Sequence, residues 1–150
     1  MHDHPAPTGW LDHARTELAR AGHRAGGART AVLEQLAGAG CCRTAQEIHD
    51  ELRGDDRRVG IASVYRVLDQ LVGLRLVTKI EFGDGVSRFE PAQPGGHHHH
   101  HVVCTECGRV DPFEDRDLER AISGSGRRTG FEVTDHDVVL RGRCPDCAAR

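Results

Sequence analysis

A chain of 150 residues with a net charge of −3 and only one Trp, one Tyr and four Phe has room for one domain or two small ones, each with a modest core. No signal peptide opens it and no apolar run approaches the length that spans a bilayer, which leads us to expect a cytoplasmic protein with reduced thiols. Acids outnumber bases in both halves, so a nucleic-acid partner requires local positive charge; near the start, Arg15, Arg20, Arg24 and Arg29 have only Glu17 among nearby acids.

Residues 1 to 9 read as frayed. From there Trp10, Leu11, Ala14, Leu18 and Ala21 recur at helical spacing, and Gly22 is a natural stop. After a glycine-rich turn, Val32, Leu33 and Leu36 line a second helix that Gly38 or Gly40 ends. Thr44-Ala-Gln-Glu47 has the spacing of a capping box, in which hydroxyl and carboxylate each satisfy an orphan amide at a helix start. That third helix buries Ala45, Ile48 and Leu52. A charged connection, Arg53 to Arg58, precedes a fourth, whose apolar stripe is Val64, Val67, Leu68 and Leu71. Ser63, Tyr65, Arg66 and Asp69 are left on its outward face.

Leu76 to Phe82 and Val86 to Glu90 are β-prone runs joined through Gly83-Asp84-Gly85, a hairpin signal. Helices followed by such a hairpin read as a winged helix-turn-helix over residues 1–90. In that fold the outward face of the last helix enters the major groove of DNA, although an exposed polar pair such as Tyr65 and Arg66 is also normal on any amphipathic helix. Pro91-Ala-Gln-Pro-Gly-Gly96 is breaker-rich and sets a hinge at 91–96. Residues 97–150 then read as a strand from His98 to Val103, a strand from Arg109 to Phe113, a short helix from Asp117 to Ser123, a glycine-rich turn, and a strand from Val133 to Leu140. Exposed strand edges in so small a module favour pairing with a second copy.

The chemistry of this half lies in Cys104-Thr-Glu-Cys107 and Cys144-Pro-Asp-Cys147. Each Cys-x-x-Cys places two thiolates on one face of a metal ion, and two pairs complete the tetrahedron of a closed, structural zinc site. The connection between them exceeds that of a compact zinc ribbon, so the pairs clamp a subdomain rather than a knuckle. A disulfide framework requires an oxidising compartment, and a thioredoxin-like redox site requires only one pair. Cys41 and Cys42 are left over.

Five histidines, His97 to His101, run into the first pair. An expression tag or a solvated polar run is the plain explanation, but this run is internal and adjoins metal ligands. On a strand, His99 and His101 point one way while His98 and His100 point the other, so one strand can serve two ions. A zinc enzyme is the competing class. It needs an open coordination position and a general base, yet neither His-Glu-x-x-His nor the His-x-Glu with Pro-Cys-x-x-Cys of deaminases occurs. A zinc store would not require the helical half.

Gly60-Ile-Ala-Ser-Val-Tyr-Arg-Val-Leu68, then Phe89-Glu90, a histidine run reading into Val-Val-Cys-x-x-Cys-Gly108, and a final Cys-x-x-Cys together resemble the ferric uptake regulator family of metal-sensing repressors, in unbroken order from about Trp10 to Cys147. The resemblance implies an α+β protein: an N-terminal winged helix-turn-helix domain followed by a small αβ dimerisation domain stapled by zinc at Cys104, Cys107, Cys144 and Cys147. It implies a homodimer that binds palindromic double-stranded DNA when a regulatory metal is bound. Tyr65 and Arg66 match the family's recognition pair, with Ser63 on the same face, and Arg24 and Arg29 match basic positions that help on DNA.

The family's hinge sensor falls on Cys42, Glu90, His99 and His101, and a further regulatory site on His98, His100, Glu119 and His136. Where iron sensors usually carry His, this chain has Cys42, a softer ligand that suits zinc without excluding Fe(II). Zinc sensors often place a cysteine shortly after the wing, where Ala92 stands here. The peroxide-sensing branch has Asp at the position of Glu90, which points away from peroxide sensing. The expectation is therefore a metal-dependent repressor of metal-uptake genes, responsive to zinc in the first instance and to iron in the second.

Overall fold

The computed structural model describes residues 6–38, 41–92 and 99–150. The chain divides into two units, Met1–His98 and His99–Arg150. Positions 93–96 of the expected hinge, His98 and Gly40 lie outside the described residues.

The first unit is built in the order α1 (Trp10–Arg20), α2 (Gly27–Gly38), β1 (Arg43–Thr44), α3 (Ala45–Gly54), α4 (Ile61–Gly73), β2 (Val77–Glu81) and β3 (Ser87–Pro91). Its core collects the stripes that periodicity marked: Trp10, Ala14 and Leu18 from α1, Val32, Leu33 and Leu36 from α2, Ile48 and Leu52 from α3, and Val64, Leu68 and Leu71 from α4. A fully buried Leu or Ile contributes about 1.5–3 kcal/mol, so these side chains supply most of what holds the helices together. The indole of Trp10 also donates to the Leu76 carbonyl at 2.8 Å, tying the first helix to the start of the hairpin.

The capping box at α3 is complete. Thr44 Oγ1 accepts from the Glu47 amide at 3.1 Å, and Glu47 Oε2 accepts from the Thr44 amide at 2.7 Å. β2 and β3 form the wing, antiparallel, with Thr78 opposite Glu90 and Glu81 opposite Ser87. Gly83 and Gly85 take positive φ in its turn. Asp84 closes that turn by accepting from the Val86 amide at 3.1 Å and pairing with Arg88 at 2.8 Å. The Arg88 guanidinium beside it holds the Asp84 carboxyl below the usual carboxylate range.

Periodicity did not announce β1. This two-residue strand adds to the wing as Arg43 pairs with Phe89 and Thr44 with Arg88, which makes β3 the centre of a three-stranded sheet. The arrangement is that of a winged helix-turn-helix.

The second unit runs β4 (His100–Cys104), β5 (Val110–Phe113), α5 (Arg116–Thr129), β6 (Val139–Gly142) and α6 (Pro145–Ala148). β4 is central, antiparallel to β5 and parallel to β6. Two expectations are corrected. The helix does not stop at Ser123 for a glycine-rich turn: it runs 14 residues through Ser123-Gly-Ser-Gly126, from an Asp115 cap that accepts the Asp117 and Leu118 amides to Gly130 at φ 75°. Nor is Val133 to Leu140 one strand, because residues 131–138 are irregular and only Val139–Gly142 pairs. α6, one turn over the second cysteine pair, was not foreseen.

Among the described residues of this unit, the buried side chains are His100, His101, Cys104 and Cys147, while Phe131, Val133 and Leu140 stand exposed. A unit whose interior is made of ligand-type side chains cannot rest on hydrophobic burial alone.

Candidate metal centres and nucleic-acid face

Cys104 ends β4 and Cys107 closes the turn after it, where Gly108 takes φ 74° and its amide returns to the Cys104 carbonyl at 2.9 Å. The parallel pairing of β4 with β6, Cys104 opposite Gly142, brings the second pair alongside. All four sulfurs lie within 4.8 Å of one another, and Cys107 Sγ to Cys144 Sγ is 3.8 Å. Sulfurs ~2.3 Å from a central zinc in a tetrahedron stand about 3.8 Å apart, so the spacing fits such an ion. Amides of Cys107, Cys144 and Glu106 hydrogen-bond the Cys104 sulfur and hold its pKa down to about 6, the thiolate form that metal binding requires. The side chain of Cys144 and burial push the Cys147 thiol up.

The alternation of β4 divides the histidines. His100 points to α5, where its Nε2 meets Glu119 Oε1 at 2.5 Å, and His136, carried by the irregular segment, reaches the same carboxylate at 3.1 Å. Ligand atoms of His100, Glu119 and His136 lie within 4.8 Å of one another, a three-donor group able to hold a cation. His98, expected with them, lies outside the described residues. His99 and His101 face the other way and meet edge to face, with ring centroids 5.1 Å apart.

Within the first unit, the β1–β3 pairing draws the residues before Arg43 alongside those after Phe89. Cys41 and a Glu90 carboxylate oxygen accordingly lie within 4.8 Å of each other, and Cys41 Sγ is 3.6 Å from Cys42 Sγ. The neighbouring Cys41 side chain and burial push the Cys42 thiol far up, with the charges of Cys41 and Glu90 acting in the same sense. Cys42 is the position the family resemblance marks as a sensor ligand, whereas Cys41 is the one whose sulfur groups with Glu90.

On the outward face of α4, Tyr65 is 49% exposed and Arg66 is exposed, its guanidinium donating to Ser63 Oγ at 3.1 Å. Arg24 is exposed. Arg29 is half-buried and engaged, donating to Gln70 Oε1 at 3.0 Å and to the Arg24 carbonyl, so it fastens α2 to α4. The local positive charge near the start is less free than its sequence suggests: Arg15 lies 3.7 Å from Asp12 and 3.6 Å from Glu34. Arg57 and Arg58, passed over in the connection before α4, line an open cleft of about 540 Å³ with Thr30 and Ser63.

The family model described as the ferric uptake regulator family matches residues 20–141. The chain belongs to the ferric uptake regulator family. The ferric uptake regulation protein of Bacillus subtilis is 39% identical over 105 residues, covering 69% of this chain and 70% of that protein. The peroxide-responsive repressor PerR of Staphylococcus saprophyticus is 31% identical over 137 residues, covering 91% of this chain and 90% of its own. The crystal structure of the Vibrio cholerae ferric uptake regulator superposes with a TM-score of 0.78 at 33% identity, covering 86% of this chain and 98% of that one.

Membership in the ferric uptake regulator family makes the protein a metal-responsive transcriptional regulator, not an enzyme. It gives the winged unit its task, DNA binding, and the four-cysteine cluster its class, a metal site. No helix among the described residues is long and apolar enough to cross a membrane.

Proposed function

We propose that this regulator is a zinc-responsive repressor of metal-uptake genes, a cytoplasmic homodimer that binds a palindromic operator through Tyr65, Arg66 and Ser63 of α4, with Arg24 and Arg29 beside them. Structural zinc belongs at Cys104, Cys107, Cys144 and Cys147. The exposed Phe131, Val133 and Leu140 support burial against a second copy.

The observation that carries the zinc reading is sulfur beside Glu90, where Cys41 and Cys42 stand with their sulfurs 3.6 Å apart. Thiolate donors favour zinc over Fe(II) when both compete for one site. Iron is the second reading, favoured by the names of the B. subtilis and V. cholerae relatives.

The switch follows from where the donors sit in the chain. Cys42 and Glu90 belong to the N-terminal unit, His99 and His101 to the C-terminal one. When all four close on one ion, only those orientations of the units in which every donor reaches it gain the binding free energy, and the equilibrium shifts by that differential affinity. The selected orientation holds the two α4 helices of the dimer about one helical turn of DNA apart, or in successive grooves. His100, Glu119 and His136, with His98, form a second regulatory site.

Replacing His99 and His101 by Ala tests this. Metal-induced operator binding is lost while the protein keeps one zinc per chain and stays dimeric. Retained metal-dependent binding would place the sensor elsewhere, at the Glu119 site first.

A further inference from the structure

We propose that Cys41 and Cys42 act together as a two-thiolate clamp in the regulatory site, and that the second thiolate, Cys41, sets the preference for zinc over Fe(II). This rests on the reading of Glu90 and its neighbours as sensor ligands, and it adds to that ligand set a residue the family pattern does not require.

Three observations carry it. The two sulfurs are 3.6 Å apart, within a few tenths of the ~3.8 Å edge of a zinc–sulfur tetrahedron, and close to the 3.8 Å found in the four-cysteine cluster. Both thiols are half-buried, in a bend immediately before β1. Cys41 Sγ lies within 4.8 Å of a Glu90 carboxylate oxygen. Successive side chains on an extended strand point to opposite faces, but the bend at Cys41 releases this pair from alternation and aims both sulfurs one way.

The pairing that presents them is itself short. Arg43 opposite Phe89 and Thr44 opposite Arg88 register the bend against the end of β3, and the Thr44 cap of α3 fixes where that bend must end. Two soft donors and a carboxylate then come from one side of the regulatory site, leaving imidazole for the other. A five-donor set with two thiolates suits a d¹⁰ ion with no geometric preference of its own, whereas Fe(II) gains more from imidazole and carboxylate.

The test uses the full-length dimer with zinc in its four-cysteine site, kept reduced, and Co(II) as the probe for the second site. Thiolate-to-cobalt charge transfer scales with the number of bound sulfurs. The wild type shows an intense near-ultraviolet band at one added equivalent. Cys41→Ser and Cys42→Ser each keep about half of it, and the double variant keeps none.

In competition, Cys41→Ser loses about tenfold or more in zinc-over-Fe(II) preference. Cys41→Ala repeats the measurement without a hydroxyl donor, with circular dichroism confirming the fold. A Cys41→Ser or Cys41→Ala spectrum equal to the wild type's overturns the clamp and leaves a one-thiolate sensor standing. A wild-type protein that binds a second equivalent of Co(II) without any thiolate band overturns the clamp too. A wild type that takes up no second equivalent overturns both the clamp and the sensor.

Discussion

Val133 lies against Gly126 so closely that a Cβ on the glycine would come 2.7 Å from Val133 Cγ2. The contact seats the irregular segment 131–138 on α5, and that segment carries His136 to Glu119. Gly126 therefore positions His136, ten residues away in sequence.

Two alanine substitutions in α5 should move stability in opposite directions. Gly124→Ala gains about 0.8–1 kcal/mol of helix propensity, and its Cβ meets only the flexible ends of Arg128 at 3.3 Å and Arg127 at 3.8 Å. Gly126→Ala gains the same propensity but overpacks against Val133, at about 1–3 kcal/mol, and pushes His136 off Glu119. Thermal unfolding of the metal-loaded dimer ranks Gly124→Ala above wild type and Gly126→Ala below it. Metal affinity at the His100 site falls for Gly126→Ala alone. A Gly126→Ala protein with unchanged affinity there would separate Val133 packing from the site.

Removing the structural metal should unmake the C-terminal unit. Its buried side chains are two histidines and two cysteines, so a structural ion's binding free energy is folding free energy. Cys104→Ser is expected to lose zinc, to lose amide-exchange protection over residues 99–150, and to elute as a monomer. A zinc-free variant that stayed a folded dimer would refute the structural assignment.

Thr44→Ala deletes half of the capping box at α3. The cost is about 0.5–2 kcal/mol. The chain has a single tryptophan and Trp10 is 1% exposed, so its fluorescence reports unfolding of the N-terminal unit directly. A lowered urea midpoint with unchanged slope marks lost stability alone. An unchanged midpoint would mean that water replaces the cap at no cost.

Arg66→Ala should weaken operator binding without disturbing the fold, since the side chain is exposed and its hydrogen bond goes to Ser63 on the same helix. A bidentate contact to guanine is worth about 1–3 kcal/mol, roughly 5- to 150-fold in affinity at fixed salt. Equal affinity for wild type and variant would return Tyr65 and Arg66 to ordinary surface polarity on an amphipathic helix.

Local rules explain what could be read from the residues alone. The apolar stripes of α1 to α4, the capping box at Thr44 and the glycine-rich turn of the wing each depend on neighbours within a few positions, and each is found in place. The cysteine pairs were legible because Cys-x-x-Cys spacing is itself the ligand geometry. The separation of His100 from His99 and His101 was legible because a strand has a period of two.

What tertiary structure decided depends on distant partners. β1 exists only because β3 lies beside it, and that pairing alone brings Cys41 to Glu90. α5 runs through Ser123-Gly-Ser-Gly126 against its propensity, while Val133 packs on the one position where any larger residue would clash. Residues 131–138 join neither outer strand of the β5-β4-β6 sheet; Val133 packs on Gly126 and His136 turns to Glu119 instead. Periodicity measures how a segment can bury one face, and only the assembled fold determines which face or edge is there to receive it.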